Sequence, residues 1–181
     1  MNKAPDGLLY RADFLSNTEQ EAVLHDVRCL TFTHDKFLHQ TMKRGYAQFG
    51  KAYVTTGRKL VDAPPLPPFL QAVIEKAAPY YPQGIEFAQC IVTWYPCNAG
   101  IGWHTDAPRF ADYILAVSLA SPARLQFRPN KSKAVSFEVT ATPGSLYVMH
   151  GIARWQYQHR IIPVKAERYS LTFRTVAQQK T

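Results

Sequence analysis

His104-Thr105-Asp106 sets an imidazole and a carboxylate two residues apart. On an extended segment such residues point the same way. One imidazole nitrogen and one carboxylate oxygen can then meet a single metal ion. A second histidine from a distant strand would complete a two-histidine, one-carboxylate face, which leaves coordination positions open and suits non-haem Fe(II). Alone, H-x-D is a short motif that also describes a turn closed by an Asp–His hydrogen bond. Two later histidines compete for the third position. His159 alternates with Tyr157 and Ile161 along one strand face, whereas His150 precedes Gly151 and reads more simply as a turn residue. His25, His34 and His39 read as surface residues.

Arg168 and Arg174 flank Tyr169-Ser170-Leu171-Thr172-Phe173. An even spacing on a strand puts both guanidinium groups on the same side. Two arginines facing the inside of a barrel need an anion there, because buried unpaired charge is costly. A dicarboxylate beside the metal would meet them through charge-assisted bonds. The spacing recurs at Arg154 and Arg160, so a solvated arginine ladder is the plainer alternative.

The chain has 181 residues, 46% hydrophobic and 19% charged, which suffices for one packed domain over 1–181. No apolar run is long enough to span a bilayer, and the first residues carry no apolar signal core. Three sparse cysteines, without C-x-x-C spacing, argue against a disulfide framework or zinc knuckle. A reducing, cytoplasmic setting and a monomer are expected.

The formal charge is +8. Lys43, Arg44, Lys51, Arg58 and Lys59 form an acid-free basic stretch that includes Tyr46, Phe49 and Tyr53. Cations interleaved with aromatics suit a polyanion with stackable bases. Aromatics under such a segment can equally be core.

These groups need a scaffold. Residues 16–30 read as a helix capped by Ser16 or Asn17, with Glu19 and Glu21 at its positive end. Ala63-Pro64-Pro65-Leu66-Pro67-Pro68 is a stiff connector into a second helix, Phe69 to Ala78. Strands are predicted at Phe87–Tyr95, Tyr113–Ala120, Ala123–Arg128, Val135–Thr140, Ser145–His150, Trp155–Ile161 and Tyr169–Val176. Many short strands at this spacing predict a mainly β, α+β chain built as a sandwich or barrel. Trp103 should face away from His104, into the core.

The order Tyr95…Gly100-Ile101-Gly102-Trp103-His104-Thr105-Asp106…His159…Arg168-Tyr169-Ser170-Leu171-Thr172-Phe173-Arg174 resembles the AlkB family of Fe(II)- and 2-oxoglutarate-dependent dioxygenases. Lys43-Arg44-Gly45-Tyr46-Ala47-Gln48-Phe49-Gly50 is similar to the segment that opens that family's nucleotide-recognition lid. The resemblance implies a double-stranded β-helix, or jelly roll, over about 85–176, with supporting helices and the lid over about 14–80. It implies iron held by His104, Asp106 and His159, and 2-oxoglutarate held by Arg168 with the Tyr95 hydroxyl. Arg174 would sit near the end of the cosubstrate that chelates the metal. With dioxygen, the implied reaction is oxidative demethylation of alkylated bases in single-stranded DNA or RNA. Lys43, Arg44 and Lys51 would meet phosphates, and Tyr46, Phe49 and Tyr53 would stack on the base.

Three positions depart from the family pattern. Thr93 stands where an asparagine is common near the cosubstrate, and Ser170 replaces another. Ala107-Pro108-Arg109-Phe110 follows Asp106, where relatives acting on 1-methyladenine and 3-methylcytosine place an acid. A protein or modified transfer-RNA substrate, and a non-catalytic basic single-strand-binding module, are the alternatives.

Overall fold

The computed structural model describes residues 3–34, 36–37, 40–54 and 57–176. The described chain runs β1 (Leu8–Arg11), α1 (Asn17–Arg28), β2 (Lys36–Phe37), β3 (Gln40–Thr41), β4 (Gly45–Val54), β5 (Lys59–Asp62) and α2 (Pro68–Lys76). After a 3₁₀ turn at Ala78–Tyr80 come β6 (Gln89–Tyr95), β7 (Ile101–His104), β8 (Phe110–Leu119), β9 (Ala123–Pro129) and β10 (Phe137–Ala141). The chain continues through β11 (Leu146–Met149), α3 (Gly151–Trp155), β12 (Tyr157–Ile161) and β13 (Arg168–Val176). His39 lies outside the described residues.

The strands form a seven-stranded sheet, β1-β11-β8-β13-β6-β4-β5, facing a four-stranded sheet, β10-β9-β12-β7. Their pairings are antiparallel. This is the jelly roll.

Alternation along β13 explains the layering. Tyr169, Leu171 and Phe173 enter the core shared with Val23 and Val27 of α1 and Leu70 and Val73 of α2. Arg168, Ser170, Thr172 and Arg174 occupy the other face, toward the second sheet. Strand β8 divides likewise: Leu115, Val117 and Leu119 meet the helices, while Ile114 and Ala116 join Leu125, Phe127 and Ile161 between the sheets. The large sheet is thus buried on both faces, and each fully buried aliphatic side chain contributes about 1.5–3 kcal/mol.

Local chemistry sets the helix ends. Ser16 caps α1: its hydroxyl accepts from Glu19 N at 3.3 Å while its own N–H donates to the Glu19 carboxylate at 2.7 Å. Pro67 and Pro68 begin α2, where a missing N–H costs nothing.

The structure differs from the sequence reading in three places. The N-terminal part contributes strands: β1, β4 and β5 all join the large sheet. Trp155 ends helix α3 rather than opening a strand. Trp103 faces away from His104 but lies on the outer face of the small sheet, 4.3 Å from the Arg128 guanidinium carbon and 4.7 Å from that of Arg160. The outer face carries arginines and glutamines, so the indole stacks on cations instead of entering the core.

Candidate metal and cosubstrate site

Strands β7 and β12 pair with His104 directly opposite His159. Cross-strand partners place their side chains on one face, and the two imidazole centres lie 4.3 Å apart. The His104 Nδ1 contacts the Gly102 carbonyl at 2.9 Å, which leaves Nε2 as the free nitrogen. Asp106 follows just beyond β7, and its Oδ2 lies 3.7 Å from His159 Nε2. The three side chains converge without a finished coordination geometry: no His, Cys, Asp or Glu trio among the described residues stands ready to hold an ion.

Arg174 fixes the carboxylate. Its Nε and Nη2 each lie 2.7 Å from Asp106 Oδ1, and Nη1 donates to Gln89 Oε1 at 2.9 Å. Burial pushes the Asp106 pKa up. Arg174, helped by His159, His104 and Arg154, outweighs burial and holds the carboxyl well below its usual range. Burial, reinforced by His104, pushes His159 down to about 3, although Asp106 pulls the other way. His159 therefore presents a neutral imidazole and Asp106 an ionised carboxylate, the forms that bind metal.

Helix α3 supplies a residue that sequence reasoning left among the arginines. Arg154 is buried and, among the described residues, donates to main-chain carbonyls of the segment after β7: Asp106 at 3.2 Å, Ala107 at 3.0 Å, Phe110 at 3.2 Å and Ala111 at 3.4 Å. It ties down the loop that carries Asp106.

Arg168 lies deeper, 1% exposed. Its Nε and Nη2 donate to Ser118 Oγ at 3.2 and 2.7 Å, and its guanidinium sits 5.0 Å from the Tyr95 ring centre. Nη1 is buried with no partner among the described residues. An orphaned cationic donor in a buried site is costly, and a carboxylate arriving there would satisfy it. Tyr147 is buried nearby, and burial raises its phenol pKa against the pull of Arg168. Its hydroxyl is therefore a neutral donor.

A cavity of about 610 Å³ joins these parts. His104, Asp106, His159, Thr93, Tyr95, Tyr147, Ser170 and Arg174 line it, but Arg168 stands behind its wall. Of the predicted substrate residues, Arg44, Tyr46 and Tyr53 line the cavity. Phe49 packs against the helix-side core, Lys51 pairs with Asp62 across β4 and β5, and Lys43 is exposed outside the lining. His150 is remote from this role, stacked on Tyr113 at 5.0 Å.

Gln48, Gln89, Phe110, Ser118, Tyr147 and Arg154 escaped the sequence reading. For the strand residues the signal was alternation alone, which gives a face without a role; Arg154 sits in a helix too short to show a period. One further device was invisible. Gly50 has a positive φ of 72°, and a Cβ there would come within 2.2 Å of the Ala88 carbonyl oxygen. The odd separation of Gln48 and Tyr53 would put them on opposite faces of a regular strand. With the left-handed residue between them, both reach the cavity.

No curated protein matches the sequence significantly. Solved structures match in fold. OsALKBH1 superposes with a TM-score of 0.76 at 14% identity, over 97% of this chain and 99% of its own. A Pseudomonas putida prolyl-4-hydroxylase gives 0.64 at 16% identity, over 94% and 93%. A Trichoplax adhaerens prolyl hydroxylase, solved with a hypoxia inducible factor oxygen degradation domain peptide fragment, gives 0.62 at 16% identity, over 94% and 84%. The 2OG-Fe(II) oxygenase superfamily model matches residues 7–174, and the chain belongs to that superfamily, as an enzyme that uses Fe(II), 2-oxoglutarate and dioxygen.

Proposed function

We propose that this oxygenase removes methyl groups from nitrogen atoms of bases in single-stranded nucleic acid. The carrying observation is the company the metal site keeps. Tyr46 and Tyr53 of β4, which with β5 extends the edge of the large sheet, and Arg44 just before β4 line the same cavity as His104, Asp106 and His159. A base outside a stack needs aromatic faces and its phosphates need cations, and this edge offers both.

In this reading His104, Asp106 and His159 hold Fe(II), which with 2-oxoglutarate supplies the power to activate dioxygen. Arg168 binds the distal carboxylate of 2-oxoglutarate through Nη1, with Tyr95, Tyr147 and Thr93 around the cosubstrate. Arg174 holds Asp106 Oδ1 and leaves Oδ2 for the metal. Arg154 fixes the loop. Tyr53, 5.9 Å from Phe110 between ring centres, forms the aromatic entrance. The reaction balances as methylated base, dioxygen and 2-oxoglutarate giving demethylated base, formaldehyde, succinate and carbon dioxide. One oxygen atom enters succinate. The other enters the methyl C–H bond, after which the C–N bond breaks.

Peptide hydroxylation is the second reading, favoured by the likeness to the two prolyl hydroxylases. Succinate release with methylated oligonucleotide, with proline-bearing peptide and with neither decides between them. Stimulation by the oligonucleotide with formaldehyde release is expected. Stimulation by peptide alone overturns the nucleic-acid reading.

A further inference from the structure

The wall of the cavity beside Arg174 is a chain of amides. Arg174 Nη1 donates to Gln89 Oε1 at 2.9 Å, and Gln89 Nε2 donates to Gln48 Oε1 at 2.9 Å. The Tyr53 main-chain N–H donates to the same Gln48 oxygen at 3.0 Å. Amide orientation is usually a matter of assignment. Here both ends are anchored by groups that can only donate, a guanidinium and a main-chain N–H. Gln89 must turn its oxygen to Arg174, and Gln48 must turn its oxygen to Tyr53. The Gln48 Nε2 is the end left over; it has no acceptor among the described residues, and Gln48 lines the cavity.

The formal charges on that lining are Arg44 and Arg174 against Asp106, whose carboxylate Arg174 already holds. Among the described residues no other carboxylate lines the cavity. No described residue there is placed to balance a positive base, and the amide chain ends in a donor.

We infer that Gln48 makes the site selective for a neutral base that offers a hydrogen-bond acceptor, a ring nitrogen or carbonyl oxygen, and turns away a cationic one. The inference rests on the nucleic-acid reading above. A donor meeting an acceptor is satisfied, whereas a cationic base brings its own N–H groups and charge against an N–H wall. A site built around a hydrogen bond rejects a base lacking the matching group far better than an apolar pocket does.

Methylated bases of different charge provide the test. Single-stranded oligonucleotides carry either N6-methyladenine or 3-methylthymine, both neutral, or their cationic counterparts 1-methyladenine and 3-methylcytosine. Succinate and formaldehyde release give kcat/KM, and anisotropy with the Mn(II)-loaded protein gives affinity. The protein should favour neutral bases by about tenfold or more in both readouts. Gln48→Glu keeps an oxygen for Tyr53 and Gln89 and replaces the free NH2 with a charged acceptor, so it should narrow or reverse that preference. Gln48→Leu should weaken neutral bases without helping cationic ones. Preference for cationic bases, or an unchanged ratio in Gln48→Glu, overturns the inference while leaving the nucleic-acid reading standing. No turnover of any oligonucleotide, with turnover of peptide, overturns both.

Discussion

Arg174 reaches a single oxygen of Asp106 with two nitrogens, Nε and Nη2, each 2.7 Å from Oδ1. The other oxygen, Oδ2, faces His159. One carboxylate thus serves an ion pair with one oxygen, and in the proposed metal site the second would be left for the ion. Arg174→Met leaves Asp106 charged, buried and alone. Breaking such a pair costs about 3–5 kcal/mol, to be read as lowered stability in denaturant unfolding and as weaker Mn(II) binding. Arg174→Lys restores charge without the fork and should fall between.

Arg168 is held by Ser118 and still carries an unmatched Nη1. If that atom awaits a carboxylate, Arg168→Lys should raise the KM for 2-oxoglutarate tenfold or more, about 1.4 kcal/mol, with oligonucleotide affinity unchanged. Ser118→Ala should move the same constant in the same direction by less. Equal losses in both affinities would show a general loosening of the fold instead.

Arg154 bonds to main-chain carbonyls of four residues between Asp106 and Ala111. Arg154→Met leaves those carbonyls without their donor, at about 1–3 kcal/mol for each group that stays buried and unsatisfied. Metal affinity should fall more than tenfold. Lysine supplies one ammonium in place of a planar fork, so Arg154→Lys should recover little. A variant that folds and binds Mn(II) like its parent would remove Arg154 from the account.

Glu19 links α1 to α2 through Lys76 and closes its own cap on Ser16. Lys76 first, and the Ser16 N–H second, lower its pKa from 4.5 to about 2. A depressed carboxylate stabilises the fold above its unfolded pKa and loses that effect as pH falls through the folded one. Glu19→Gln should therefore lower stability near neutral pH, and the gap should close between about 4.5 and 2. Both partners are about 40% exposed, 39% for Lys76 and 41% for Glu19, so screening keeps the effect under about 1 kcal/mol. Thermal unfolding of both proteins across that range checks it.

Much of the site was legible because strand chemistry is periodic. His104 and Asp106 announce themselves by spacing, and Arg168 and Arg174 by an even interval that the β13 register preserves. The start of α1 was readable as a cap at Ser16 or Asn17 with Glu19 in the first turn, and the structure chooses Ser16. Strands β4 and β5 were not, because the half-buried residues of β4 and the mostly exposed ones of β5 lie in or beside a basic, aromatic stretch that reads as a surface for a polyanion. Helix α3 hid between two strands: five residues are too few for a helical period to show. Arg154, Gln48 and Gln89 matter through partners far along the chain, and no local pattern encodes such a partnership.

The account rests on His104, Asp106 and His159 gripping one ion, and calorimetric titration of the metal-free protein with Mn(II) tests this most directly. One ion per chain is predicted, with affinity lost in His104→Ala, Asp106→Ala and His159→Ala and kept in His150→Ala. Undiminished binding by His159→Ala, with binding lost in His150→Ala, would contradict it.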